Sequence, residues 1–198
     1  MRLALFDFDG TITTRDSLGD FLLHTYGALR CAAALIMLAP VLALRVAGKI
    51  PNWKAKEAVF RHFLEGCPVT DFAAAASDYA ANRLPRIIRK IAAERIEWHR
   101  SQGHRAIVVS ASPEQWIRPW CGRYGMDVIA TRLEMRAGIL TGRINGANCY
   151  GEEKARRIRE TVTLAEYEYI YAYGNSKGDT EMLSMADERY YNWKQVTQ

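Results

Sequence analysis

The chain opens with a short apolar run, Leu3-Ala4-Leu5-Phe6, that stops on two carboxylates one residue apart, Asp7 and Asp9, with Gly10 and Thr11 directly after them. Such a run reads as a buried strand, along which side chains alternate in direction. Once the chain leaves the sheet and turns at Gly10, both carboxylates converge on one pocket at the strand's carboxyl end, where open α/β sheets bind ligands. Two acids so placed divide labour: one stays ionised as nucleophile and metal ligand, the other keeps a proton for a leaving group. A lone Asp-x-Asp is more often a turn cap, so the reading depends on the rest of the chain.

Three later segments supply what such a pair needs. Arg105-Ala106-Ile107-Val108-Val109 is a second apolar strand, ending in Ser110-Ala111-Ser112, with a helix expected to begin at Pro113. Hydroxyls and free N–H groups at a helix N-terminus bind phosphate oxygens. Gly151-Glu152-Glu153-Lys154 opens a further helical stretch, where Lys154 places a positive charge beside a transferring phosphoryl group. Tyr169 to Tyr173 reads as a strand, leading into the polar loop Gly174-Asn175-Ser176-Lys177-Gly178-Asp179, whose oxygens suit a hard cation such as Mg²⁺. Taken singly, these residues are ordinary caps and solvated charges. In chain order they form an acid pair, a hydroxyl strand end, a lysine and an acidic loop.

That order resembles the haloacid dehalogenase superfamily of phosphohydrolases, in particular its phosphoserine phosphatase-like branch. The motifs that carry the likeness are Asp7-Phe8-Asp9-Gly10-Thr11, Ser110 after Ile107-Val108-Val109, Lys154, and Gly174 to Asp179; Leu140-Thr141-Gly142-Arg143 and Asn148 to Lys154 add to it. The resemblance implies a doubly wound, mainly parallel α/β sheet with helices on both faces, and an all-helical cap inserted after the first strand. It also implies a phosphomonoester hydrolase in which Asp7 forms an aspartyl-phosphate, Asp9 is acid and base, and Lys154 offsets charge. Ser110, Ala111 and Ser112 then hold the phosphoryl group, and Mg²⁺ rests on Asp7, the Asp9 carbonyl, and Asn175 or Asp179. The sequence departs from the family at Asn175, where these enzymes normally carry an acid; an amide oxygen ligates Mg²⁺ without the charge. A phosphotransferase using the same aspartyl-phosphate, and a weakly active protein that binds a phosphorylated ligand, stay open as alternatives.

With 198 residues, 49% of them hydrophobic, the chain is long enough for one good core carrying a small second lobe. The 27 Lys and Arg outnumber the 22 Asp and Glu, which favours anionic partners such as phosphorylated small molecules or lipid phosphates. No nucleic-acid module, zinc-finger spacing or long basic run is present, so nucleic acid is not expected as a partner. Cys31, Cys67, Cys121 and Cys149 are widely spaced, which points to a reduced, cytoplasmic setting. The first strand already carries the nucleophile, so its removal as a signal peptide would destroy the site.

From Ser17 to Asn82 the pattern reads as successive helices: Leu18 to Tyr26, Ala28 to Ala47, Trp53 to Leu64, and Asp71 to Asn82 after a Thr70 cap. A longer helix is expected after Pro85, through Ile87, Ile91 and Trp98. The expected division is thus a core of residues 1–16 and 85–198 with a cap of residues 17–84. Within the cap, residues 31–44 are uncharged and apolar throughout, bracketed by Arg30 and Arg45. The run is shorter than the roughly 20 residues of a bilayer-spanning helix and contains Pro40. Two readings stay open: a hydrophobic hairpin packed in the cap or in a homodimer interface, or a peripheral patch on the inner face of a membrane. Trp53, Lys54, Lys56, Arg61 and His62 read as a solvated face or as a cationic collar around a headgroup. His24, His99 and His104 lack metal-ligand spacing, and Trp116, Trp120 and Tyr124 recur at core spacing.

Overall fold

The first strand, β1 (Arg2–Phe6), lies at the centre of the main sheet. The computed structural model describes residues 1–196, and in it β1 is flanked by two parallel neighbours, β2 (Arg105–Pro113) and β6 (Tyr169–Gly174). The sheet continues through β3 (Asp127–Thr131) beyond β2, and through β7 (Glu188–Tyr191) and the antiparallel β8 (Lys194–Val196) beyond β6, giving the order β3-β2-β1-β6-β7-β8. The chain winds outward from β1 on one side and then crosses to the other. The ends of β1, β2 and β6 therefore frame a topological switch point, where such sheets open a crevice.

The alternation of β1 sorts the interior into two cores. Ala4 and Phe6 point to one face with Val108, Tyr171 and Tyr173, covered by α4 (Lys90–Ser101) and α5 (Glu114–Gly122) through Ile96, Trp116 and Trp120. Leu3 and Leu5 point to the other with Ile107, Val109 and Ala172, covered by α6 (Glu152–Thr161) and α7 (Thr180–Ser184) through Ile158 and Met182. With both faces covered, the central strands β1, β2 and β6 are mostly apolar, as buried parallel strands are.

Between β1 and α4 stand α1 (Ser17–Val46), α2 (Asn52–Leu64) and α3 (Val69–Asp78). An antiparallel ribbon of β4 (Leu133–Arg136) and β5 (Ile139–Ile144) packs against α2. Gly142 (φ +69°) makes that approach close: a Cβ there would come within 2.5 Å of the Arg61 backbone. The buried Asp20 anchors the start of α1, gripped by Arg83 through two hydrogen bonds of 2.8 and 3.0 Å.

Several expectations need correction. The helical stretch Ser17–Val46 breaks at Gly27 (φ 79°, ψ 166°), between the two helices expected there, but residues 31–44 contain no hairpin and Pro40 sits inside the second helix. Most of that stretch is exposed, so it is not packed within the cap. The third cap helix begins at Val69 with Pro68 as its cap position, ahead of the expected Thr70 cap. No long helix starts at Pro85: residues Leu84–Ile87 make a tight turn, and α4 starts only at Lys90. The cause is a backbone clasp in which Thr14 N–H donates to the Ile87 carbonyl at 2.7 Å and Arg89 N–H to the Ile12 carbonyl at 2.9 Å. The helix expected from Pro113 begins at Glu114, Pro113 being the last residue of β2.

His99 and His104, which show no useful spacing in the sequence, meet in space: their Nδ1 atoms are 2.9 Å apart, and His99 Nε2 lies 2.9 Å from the Tyr173 hydroxyl. His99 is fully buried, and burial, with His104 and Arg95 nearby, pushes its imidazole down from 6.5 to about 3. A group depressed in the folded state stabilises fully above its unfolded value and loses that contribution as pH falls. From pH 6.5 to pH 5 the loss from one such group is about 2 kcal/mol. Urea unfolding over that range should therefore show a flatter pH dependence for His99→Gln than for the wild type; parallel curves would mean that His99 is not the titrating group.

Candidate active site

Burial and turn geometry bring the two carboxylates of the first motif into one crevice with different partners. Asp7 comes directly after β1 and is almost fully buried. Lys154 Nζ donates to its Oδ1 at 2.6 Å and Thr11 Oγ1 to its Oδ2 at 2.8 Å. The chain then turns sharply at Gly10 (φ +79°), a conformation that favours glycine; a Cβ there would also meet the Asn175 amide nitrogen at 2.1 Å. Arg89 fixes this turn by donating to the Gly10 and Thr13 carbonyls at 3.2 and 3.0 Å, and Trp193 Nε1 holds the Thr11 carbonyl at 3.1 Å.

Lys154 stands in the first turn of α6 and is only 1% exposed, far from the solvated charge that a helical lysine usually is. Its ammonium also donates to Asp179 Oδ1 at 2.7 Å, so one cation bridges two carboxylates from different strand ends. Burial works against its charge, yet Asp7 and Asp179 together hold its pKa above the ordinary lysine value. Burial pushes the Asp7 carboxyl up to about 6 against the pull of Lys154, and the nearby Asp179 charge adds to the rise. For Asp179 burial is outweighed by Lys154 and by the Ser176 hydrogen bonds, and its carboxyl stays below the usual range.

Asp179, expected as a metal ligand or a helix cap, stands at the cap position of α7 and completes a capping box with Ser176. Its Oδ2 accepts from the Asn175 and Ser176 N–H groups at 3.1 and 2.9 Å and from Ser176 Oγ at 2.8 Å, while Oδ1 holds Lys154. Both oxygens are engaged, so it orders its own loop and locks the lysine. The other oxygen donors near Gly10 are the Asp7 carboxylate, whose oxygens also hold Lys154 and Thr11, the Asp9 carbonyl and the Asn175 amide. All carry oxygen and only one is charged, a hard donor set that fits Mg²⁺ but holds it with little charge.

Asp9 belongs to a separate hydrogen-bond chain. Its Oδ1 accepts from the Ser17 N–H at 2.7 Å and its Oδ2 from Ser112 Oγ at 2.5 Å. Ser17 Oγ donates to Ser112 Oγ at 3.3 Å and accepts from Trp116 Nε1 at 3.1 Å, all four residues being buried or half-buried. Burial, and after it the charge of Asp16, raises the Asp9 pKa against these hydrogen bonds, which favours a retained proton. Ser112, expected to touch substrate, is thus tied to the acid. Ser110 Oγ accepts the Ser112 N–H at 3.0 Å, which leaves its own O–H to donate into the crevice.

Of the expected collar residues, Lys56 reaches this crevice, its Nζ donating to the Ala111 carbonyl at 3.1 Å. Lys54 lies over the Trp53 ring, and Arg61 pairs with Glu57. Trp116 and Trp120 are core residues, as their spacing suggests. Sequence alone does not single out Ser17, Thr11 or Arg89: Ser17 and Arg89 stand far from the strand ends, and Thr11 is visible only as a motif letter.

Residues 4–184 match the family of haloacid dehalogenase-like hydrolases. The chain belongs to that family. Protein CicA of Caulobacter vibrioides is 36% identical over 191 residues, covering 96% of this chain and 85% of that protein. A probable phosphatase of Mycobacterium tuberculosis is 39% identical over 95 residues, 46% of this chain and 33% of that protein. Among solved structures, a Bordetella pertussis protein with unknown function superimposes with a TM-score of 0.80 at 24% identity, covering 95% of this chain and 88% of that one. A phospho-aspartyl intermediate analogue of phosphoserine phosphatase does so with a TM-score of 0.65 at 18% identity, over 94% and 84% of the two chains. These two overlays show that the dehalogenase-like fold is shared.

Lys154 is the electrostatic hinge of this hydrolase site. Lys154→Met should lower stability at neutral pH by about 3 to 5 kcal/mol, the cost of leaving buried carboxylates unpaired. Adding Asp179→Asn should recover part of that loss, because one of the two orphaned charges is gone. Denaturant midpoints of the single and double variants measure this; a fully stable Lys154→Met protein would contradict the bridge.

Proposed function

We propose that the protein is a phosphomonoester hydrolase that works through an aspartyl-phosphate on Asp7, with a phosphorylated small molecule as substrate. The observation that carries this reading is the split of the two acids between two networks. Burial raises the pKa of both, but Asp7 sits against a fixed cation that pulls it back towards the ionised form of a nucleophile, while Asp9 sits in a chain of hydroxyls. The phospho-aspartyl analogue known for phosphoserine phosphatase and the name of the mycobacterial relative support the same reading.

In the first step an Asp7 oxygen attacks phosphorus in line as the ester P–O bond breaks, and Asp9 gives its proton to the departing oxygen. In the second, Asp9, now ionised, takes a proton from the water that attacks the phosphorus of the acyl phosphate. Inorganic phosphate leaves, Asp7 is regenerated, and Asp9 is again protonated. Lys154 offsets charge on the nucleophile throughout, and the Ser110 hydroxyl donates to a phosphoryl oxygen. Mg²⁺, held by Asp7, the Asp9 carbonyl and Asn175, would supply Lewis-acid neutralisation of the phosphoryl charge. Residues 17–84 act as a cap: Ser17 and Lys56 reach down from it into the crevice, and its closure excludes water.

Asp7→Asn should leave the melting temperature near that of the wild type and lower kcat on p-nitrophenyl phosphate by several orders of magnitude. A folded Asp7→Asn protein within tenfold of wild type would overturn the mechanism. Product that appears only with an added acceptor alcohol would instead identify a phosphotransferase, and phosphate-ester binding without turnover a binding protein. Asn175→Asp should lower the Mg²⁺ concentration needed for half-maximal rate by about tenfold, since it adds a charged oxygen ligand. An unchanged Mg²⁺ dependence would remove Asn175 from the cation's ligands.

A further inference from the structure

The second half of α1, from Ala28 to Val46 beyond the break at Gly27, carries six of the large hydrophobic side chains that the described residues leave exposed. It is about 28 Å long. Leu29 is 90% exposed, Ile36 77% and Met37 68%, and Leu35, Leu44 and Val46 are exposed beside them. Only one stripe of this helix meets protein: Ala34 is buried, and Cys31, Leu38 and Leu42 line an apolar groove of about 380 Å³ shared with Val59 and Phe63 of α2. Exposed Leu23 and Leu35 also line that groove, so it opens onto the same surface. A contiguous patch of this kind on a water-soluble surface marks a binding face.

The charges around it select the occupant. From Phe21 to Lys56 the sequence contains no carboxylate, while Arg30, Arg45, Lys49, Lys54 and Lys56 are all cationic. A two-fold dimer through this helix would bring its cationic ends together with no acid in the segment to pair them. An anionic bilayer gives both halves what they lack, hydrocarbon for the leucines and phosphate for the lysines and arginines. Trp53, 42% exposed at the start of α2, is suited to the headgroup level.

We infer that α1 beyond Gly27 docks this protein on an anionic membrane surface, lying in the interface with its exposed face toward lipid and its other face on α2. By length and hydropathy this helix is also long and apolar enough to cross a bilayer; the stripe of Ala34, Leu38 and Leu42 facing α2, and Arg30 within its first turn, place it in the interface instead. The same α1–α2 pair sends Ser17 and Lys56 into the crevice, so docking holds the site beside the headgroups. Membrane docking goes beyond the hydrolase reading and does not require it.

Co-sedimentation with vesicles of phosphatidylglycerol and phosphatidylcholine tests this without any turnover. The wild type should bind, and raised salt should weaken the binding. Ile36→Glu, at a side chain that faces solvent, should keep the wild-type melting temperature and weaken binding about tenfold or more. Leu29→Gln serves as a second, milder variant with the same expected direction. Arg45→Glu combined with Lys49→Glu should weaken binding to the anionic vesicles and leave that to pure phosphatidylcholine unchanged. Wild-type protein left in the supernatant would overturn the inference, as would membrane association that survives an alkaline carbonate wash, the mark of a spanning helix. A wild-type dimer that Ile36→Glu splits, without vesicle binding, would assign the face to a second copy and equally overturn it.

Discussion

The ammonium of Lys154, fully enclosed between Asp7 and Asp179, is the contact on which the rest of the site depends. At an effective dielectric of about 20, each such contact is worth about 4 kcal/mol, while removing each ion from water costs several. The net gain in stability is therefore small, and the value of the bridge lies in position. It ties the end of β1 to the start of α6 and to the loop after β6, alongside backbone hydrogen bonds of 2.9 Å from the Asp7 N–H to the Tyr173 carbonyl and from the Gly151 N–H to the Gly178 carbonyl. It also keeps a fixed positive charge against the oxygens that are to meet an anionic ester.

Much of this is legible in the sequence because parallel strands announce themselves as apolar runs and the chemistry stands where they end. Asp7, Asp9, Ser110 and Lys154 all lie at the crevice, and the sheet order agrees with the doubly wound expectation. The illegible part depends on contacts between distant segments. Ser17 and Trp116 complete the Asp9 chain across 99 residues of sequence, which no local spacing encodes. Asp179 looks like a ligand because its loop is rich in oxygen; only the distances show that Lys154 and three loop donors already occupy it. The His99–His104 contact likewise needs the bend at the end of α4 to form.

The apolar run of residues 31–44 is visible from composition, but its form is not. Proline in a helix interior costs about 3 kcal/mol, yet Pro40 stays inside the helix; the break lies at Gly27, between the two helices expected there, where a positive φ carries little penalty for glycine. The outcome is an arm hinged on the same helix that begins the site, since the Ser17 N–H holds the Asp9 acid at one end of α1 and the uncovered leucines occupy the other. Surface and chemistry are thus linked through two helical segments that join at Gly27.

The central claim, that the lysine-clamped carboxylate is the nucleophile, is tested most directly by trapping the acyl phosphate. Protein turning over p-nitrophenyl phosphate with Mg²⁺ would be quenched by denaturation and treated with borohydride, which reduces an acyl phosphate to an alcohol, and then mapped by peptide mass spectrometry. The account predicts conversion of Asp7, and of no other carboxylate, to homoserine. Reduction at Asp9 or Asp179, or steady turnover with no reduced residue at all, would contradict it.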